Sequence, residues 1–267
     1  MLEFSDFDHN FIKGPLMFDL SHQGTVSTLT LSRPPANVIS HAWLEEFDTI
    51  LDQLEGNKVT NILHLRSNQK IFCAGADLNE YRLRMENNED PAEYKKYLMN
   101  FHRLFGRLES LAKLSIAEIG GAALGGGFEL ALSCDLRVAA NEAKLGLPEG
   151  RLGLIPGAGG TQRITKLCGP STANRIVLAC EIVDGKTAHE LGMVQWAVPR
   201  DELAGKALEI IANCGDVSTD ALLGAKKCIA AAQDPNSDGF EMEIDVSLEL
   251  VQNPDSIKRV SSFFDKN

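Results

Sequence analysis

The chain has 267 residues, 24% of them charged and 44% hydrophobic, a globular balance that excludes wholesale disorder and suits one large α/β domain. Its net charge of −11, with no dense Lys/Arg run, argues against nucleic acid as a partner, although local dipoles can still receive a small anion. No stretch of about 18 apolar residues occurs, the start MLEFSDFDHN lacks a basic and apolar leader, and six scattered cysteines suit reduced thiols, so a cytoplasmic protein away from membranes is expected.

Residues 17–20 and 25–31 alternate Val, Thr and Leu on either side of His22-Gln23-Gly24, which predicts a β-hairpin. Pro34 and Pro35 stop the second strand. Leu44, Phe47, Ile50, Leu51 and Leu54 then fall at helical spacing and predict an amphipathic helix over 41–54. A strand at 61–65 follows. Residues 81–93, rich in acids, Arg and Asn, read as a solvent-exposed loop. A helix is expected at about 91–112, then a strand at 115–119, a helix from 127 and a strand at 135–139. Alternation of this kind implies a layered α/β fold. Past residue 170 strand signals thin out, and helices are expected near 170–179, 187–191, 201–213, 218–232, 239–250 and 255–264. The expected division is an α/β core over 1–200 and a helical region over 201–267.

The densest signal is the run Gly120-Gly121-Ala122-Ala123-Leu124-Gly125-Gly126-Gly127-Phe128-Glu129, in which glycines follow a strand and open a helix. Such a turn presents free N–H groups at the positive end of a helix dipole. It matches neither the Walker pattern nor the dinucleotide pattern, so nucleotide phosphate is a poor candidate. The alternative is an oxyanion hole, where glycine lets a backbone N–H approach a carbonyl oxygen. The turn Cys73-Ala74-Gly75-Ala76-Asp77-Leu78 is available for a second donor. Glu149 lies between Pro148 and Gly150 on a constrained turn, ahead of the block Ile155 to Arg163, and Glu129 opens an apolar helix. Taken singly, each feature has an ordinary reading: a tight turn, a solvated acid, a carboxylate complementing a dipole. No histidine shows metal-ligand spacing, so no metal is expected. Cys73, with no partner His in view, reads as a buried thiol, and Asp135 as a helix-end or strand-cap acid.

Together, the glycine run ending in Glu129, the Ala-Gly-Ala-Asp turn, and Pro148-Glu149 leading to IPGAGGTQR resemble the crotonase superfamily, specifically its enoyl-CoA hydratases. The resemblance extends from about residue 17 and is strongest at 71–78 and 120–166. It implies a crotonase-like fold, a repeated ββα spiral with a helical C-terminal trimerisation region. It further implies an acyl-CoA substrate, no separate cofactor, and a homotrimer or homohexamer. Carried over motif by motif, Ala76 and Gly126 are the oxyanion donors, and Glu129 and Glu149 hold the attacking water, with Glu129 as base and Glu149 as acid. Ala36, Asn37, Val38, Ala74, Gly75, Asp77, Leu78 and Gly125 are expected at the substrate and its CoA, with Phe263 and Lys266 reaching CoA across a subunit boundary. Asn79 stands where many relatives have a lysine. Two acids favour hydration over double-bond isomerisation. A hydratase of cyclic or branched acyl-CoA is an alternative, as is a non-catalytic or RNA-binding protein on the same fold.

Overall fold

The computed structural model describes residues 17–265. The chain opens with the expected hairpin, β1 (Phe18–Gln23) and β2 (Val26–Leu31), antiparallel with Gln23 opposite Val26. The turn is therefore Gly24-Thr25, with Gly24 at φ +56°, and His22 and Gln23 belong to the strand. β3 (Ile62–Ser67), β4 (Leu114–Ile119), β6 (Leu136–Ala140) and β9 (Trp196–Val198) extend the sheet in parallel, in the order β1-β2-β3-β4-β6-β9. A second sheet holds β5 (Ala123–Leu124), β7 (Lys144–Gly146) and β8 (Val183–Asp184), and Cys73 bridges onto it at Ala123.

These two sheets are the product of a repeated unit. A long strand joins the large sheet, a short one joins the small sheet, and a helix returns: β4-β5 precede α4 (Gly126–Leu132), and β6-β7 precede α5 (Gly160–Ala173). This is the ββα spiral. Strands β5, β7, β8 and β9 carry two or three residues each, too few to show a period, which is why sequence reading missed them.

Helix α1 (His41–Gly56) forms where expected, capped by Ser40, whose Oγ accepts the Trp43 N–H at 3.3 Å. On its buried face, Trp43 to Leu54, Trp43 and Phe47 form an aromatic cluster with Phe18, and the face packs against α3 (Pro91–Glu109). The expected loop at 81–93 is corrected. Residues 78–86 form α2 (Leu78–Glu86), with Asp77 as N-cap accepting the Asn79 N–H at 3.0 Å, and only the link to Pro91 is loop. This helix buries no residue fully, so it lacks the apolar period that announces a helix, while its Leu, Glu, Arg and Met residues favour helix intrinsically.

The helix expected at 170–179 begins ten residues earlier, at Gly160, breaks at Gly169 (φ +77°) beside Pro170, and continues as a π turn over Asn174–Leu178. Beyond it lie α6 (Gly185–Glu190), α7 (Leu203–Gly215), α8 (Thr219–Ala231), α9 (Gly239–Val251) and α10 (Pro254–Asp265). The core does not stop at residue 200: α7 packs Leu203, Ala207, Ile210 and Ile211 onto β3, β4 and β6. Among the described residues no helix is long and apolar enough to cross a membrane.

Candidate active site

The turns at 73–77 and 120–126 leave the C-terminal ends of adjacent parallel strands, β3 and β4, where open α/β sheets gather their ligands. Their backbones run side by side. A Cβ on Gly126 would lie 3.4 Å from the Ala76 nitrogen, so the two expected oxyanion donors are neighbours. Ala76 bridges to Ile39 through the Gly75 carbonyl and the Asp77 N–H, an arrangement that leaves its own N–H unused. Gly126 is the first residue of α4, so its N–H has no intrahelical acceptor. Two free donors at the positive end of a helix suit a developing oxyanion.

Glu129 sits in the first turn of α4 and is 2% exposed. Its Oε1 accepts the N–H groups of Ala158 (2.8 Å) and Gly160 (2.7 Å). The block Ile155 to Arg163, conspicuous in sequence but without an assigned task, therefore supplies the harness of this carboxylate. Burial pushes the Glu129 carboxyl up to about 7; the Gly160 N–H draws it down, the Glu149 charge pushes it up, and the Ala158 N–H and Arg163 draw it down further.

Glu149 stands on a single 3-10 turn, Pro148–Leu152, started by proline. Its Oε1 lies 3.0 Å from where a Cβ on Gly125 would be, and Gly125 has φ +53°, so glycine is required there both for conformation and for the close approach of the carboxylate. Glu149 Oε2 is buried without a hydrogen-bond partner, and burial raises this carboxyl as well. The two acids thus differ. One is clamped by donors that favour its charged form; the other has an oxygen that a proton would satisfy.

Both acids line one cavity of about 770 Å³. Of the expected residues it gathers Ala74, Gly75, Ala76, Leu78, Gly125, Gly126, Glu129 and Glu149. Ala36, Asn37, Val38 and Asp77 are not on its wall; they brace the turn behind it. Asn37 is buried, accepts the Arg33 N–H at 2.8 Å and donates to Ser67 Oγ and the Phe72 carbonyl, both at 2.8 Å. Ala36 accepts from Ala74, the Val38 carbonyl accepts from Arg33, and Asp77 caps α2 and meets Arg33 at 3.4 Å. Phe263 lies on α10, 66% exposed, and Lys266 falls outside the described residues. Cys73 is a buried thiol, pushed up to about 12 by burial and donating to the Asn37 carbonyl. Asp135 is structural, accepting from Ser115 and Lys226 at 2.8 Å.

The aromatic and apolar lining of this cavity was not among the expected site residues. Tyr81 from α2, Tyr94, Leu98, Phe101 and His102 from α3, and Leu152 and Ile155 also line the cavity. Tyr94, Leu98 and Phe101 repeat at helical spacing, the one signal that pointed to them, and Tyr81 meets Tyr94 edge-on at 6.1 Å.

For Glu129 to serve as a base, as the resemblance implies, it must be unprotonated. kcat/KM is therefore expected to fall as pH drops below about 7 and to level off above it, checked by a pH–rate profile across the neutral range.

A family profile for enoyl-CoA hydratase/isomerase matches residues 21–267. A probable enoyl-CoA hydratase of Bacillus subtilis is 35% identical, covering 90% of this chain and 93% of its own. The short-chain-enoyl-CoA hydratase of Clostridium acetobutylicum is 32% identical, with 86% and 84% covered. A solved enoyl-CoA hydratase from Bacillus anthracis superposes with a TM-score of 0.86 at 32% identity, over 94% of this chain and 97% of that one.

Proposed function

From the premise that this chain belongs to the enoyl-CoA hydratase/isomerase family, we propose that it hydrates a trans-2-enoyl-CoA to a 3-hydroxyacyl-CoA, with Glu129 and Glu149 sharing the attacking water. It is a hydro-lyase of acyl-CoA thioesters, suited to fatty-acid or related acyl-CoA catabolism. The observation that carries the site assignment is the pairing of two unlike carboxyls on one cavity, Glu129 buried and Glu149 half-buried, beside two unused N–H donors. The Ala76 and Gly126 N–H groups take the thioester oxygen as it gains charge. Glu129, held by Ala158 and Gly160, removes a proton from water as the oxygen attacks C3. Glu149 delivers a proton to C2, so that the water is consumed whole and the enzyme returns to its starting state after proton exchange. No cofactor is needed beyond the CoA that the substrate carries. Incubation with a short trans-2-enoyl-CoA is expected to give a product heavier by one water by mass spectrometry; a product of unchanged mass would indicate isomerisation and overturn the reading.

The same premise supports a trimer or hexamer. On α9 and α10, Phe240, Ile244, Leu248, Val251, Ile257, Val260 and Phe264 are each more than half exposed in the single chain, a patch that a soluble monomer rarely keeps. Phe263 and Lys266 then reach a neighbouring subunit's CoA. Sedimentation is expected to give a threefold or sixfold multiple of 29.1 kDa, falling to the monomer in an Ile244→Glu/Leu248→Glu variant. A wild-type monomer that binds CoA with full affinity would remove the role given to Lys266.

A further inference from the structure

Glu149 Oε2 has no partner, and the hydrogen bond that acts on this carboxyl comes from its own backbone, so no other residue's donor aims it and its direction is set by the turn that carries it. The segment that carries it rests on the chain at 180–182. A Cβ on Gly146 would meet the Glu181 carbonyl at 2.8 Å, and one on Gly150 would meet Cys180 Sγ at 2.8 Å. Arg151, the next residue, donates from Nη2 to the Cys180 carbonyl at 3.0 Å. Cys180 is thus the side chain beneath the turn. It is 7% exposed, and its thiol faces the Val177 carbonyl at 3.5 Å. Its backbone has φ +50°, a conformation that favours glycine and disfavours a side chain. A side chain held against that preference, pressed on the glycine that follows the half-buried Glu149, calls for a role.

We propose that Cys180 is a positioning residue for Glu149: its sulfur fills the space under Gly150 and sets the height of the turn that aims the Glu149 carboxyl into the cavity. This rests on the reading of Glu149 as the acid. The sulfur touches no reacting atom; it acts through the backbone of residue 150. Because misplacing a reacting group by about an ångström can cost up to about 100-fold in rate, small changes in this contact should be visible in kcat.

The test is a pair of substitutions measured singly and together. Cys180→Gly relieves the backbone but removes the support, so kcat should fall about tenfold or more, with KM little changed and Tm not lowered. Gly150→Ala drives a methyl into the sulfur and should also lower kcat. In Gly150→Ala/Cys180→Gly the methyl occupies part of the space the sulfur left, and kcat should recover above both single variants, the coupling expected of two groups in direct contact. A structural role alone would lower Tm and leave kcat per folded site intact, which would overturn the proposal, as would a double variant no better than the worse single one. If Gly150→Ala does not fold, the kcat of Cys180→Gly decides. Wild-type kcat in Cys180→Gly, with Glu149→Gln inactive, removes this proposal alone, whereas an active Glu149→Gln removes the acid reading and the proposal with it.

Discussion

Glu129→Gln is expected to lower kcat for a short trans-2-enoyl-CoA by about 10²–10⁴-fold, the range typical of a lost general base, while KM changes little. The substitution is well controlled by the geometry. A glutamine Oε1 can accept the same N–H groups of Ala158 and Gly160 that now hold the carboxylate, so the harness survives and only the proton affinity is lost. Glu149→Gln should cost a similar factor, because the amide has no proton to give C2. If both acids act on one water, as proposed, the double variant should be little worse than the poorer single variant. Full activity in either single variant would overturn the pair. Stability offers a second readout with the opposite sign. Folding raises the Glu129 carboxyl from its ordinary value of 4.5 to about 7, so its ionisation opposes folding above about 7, and that cost fades as pH falls towards the unfolded value. The inactive Glu129→Gln protein should therefore melt higher than wild type in mildly alkaline buffer, with the difference shrinking in acid.

Much of this site was legible in sequence, for a reason that also marks the limit of such reading. Glu129, Glu149, Ala76 and Gly126 each sit in a compact local motif whose glycines and proline record a backbone requirement, such as the φ of +53° at Gly125. The partners of those residues carry no such record. Nothing local in Ala158 or Gly160 says that their N–H groups meet a carboxylate about thirty positions earlier in the chain, a contact made by the return of α5 onto α4. Tyr81 was hidden in a segment read as loop, because α2 is held by its Asp77 cap and by packing of Tyr81 against α3 rather than by an apolar stripe of its own. Asn37 shows the converse. Its motif was visible and an expected contact with substrate or CoA was read from it, but it is not on the cavity wall and its side chain is consumed in bracing the 67–73 turn. Motifs announce where the backbone is constrained, and the side chains that complete a site across the fold stay silent until the sheet order brings them together.

Gly126→Pro tests the oxyanion hole by deleting one donor at a position where the helix can bear it. Gly126 is the first residue of α4, where proline is well accepted because the N–H has no intrahelical acceptor. Gly125, at φ +53° and ψ −130°, lies outside the helical region that a following proline disfavours. A Cβ at 126 would meet the Ala76 nitrogen at 3.4 Å and Gly75 Cα and Ile39 Cδ1 at 3.6 Å, which are ordinary or near-ordinary contacts. The fold should therefore hold. Removal of one such donor typically costs about 10²–10³-fold in kcat, because the hydrogen bond strengthens as charge moves onto the thioester oxygen. Gly126→Ala separates the nitrogen from the Cβ: it adds the same Cβ but keeps the N–H and lacks the ring Cδ that proline places on the nitrogen, so it should retain at least about tenfold more activity than the proline variant. Equal losses in the two variants would mean that space rather than the donor governs the position, and the Gly126 N–H would then have no claim on the thioester oxygen.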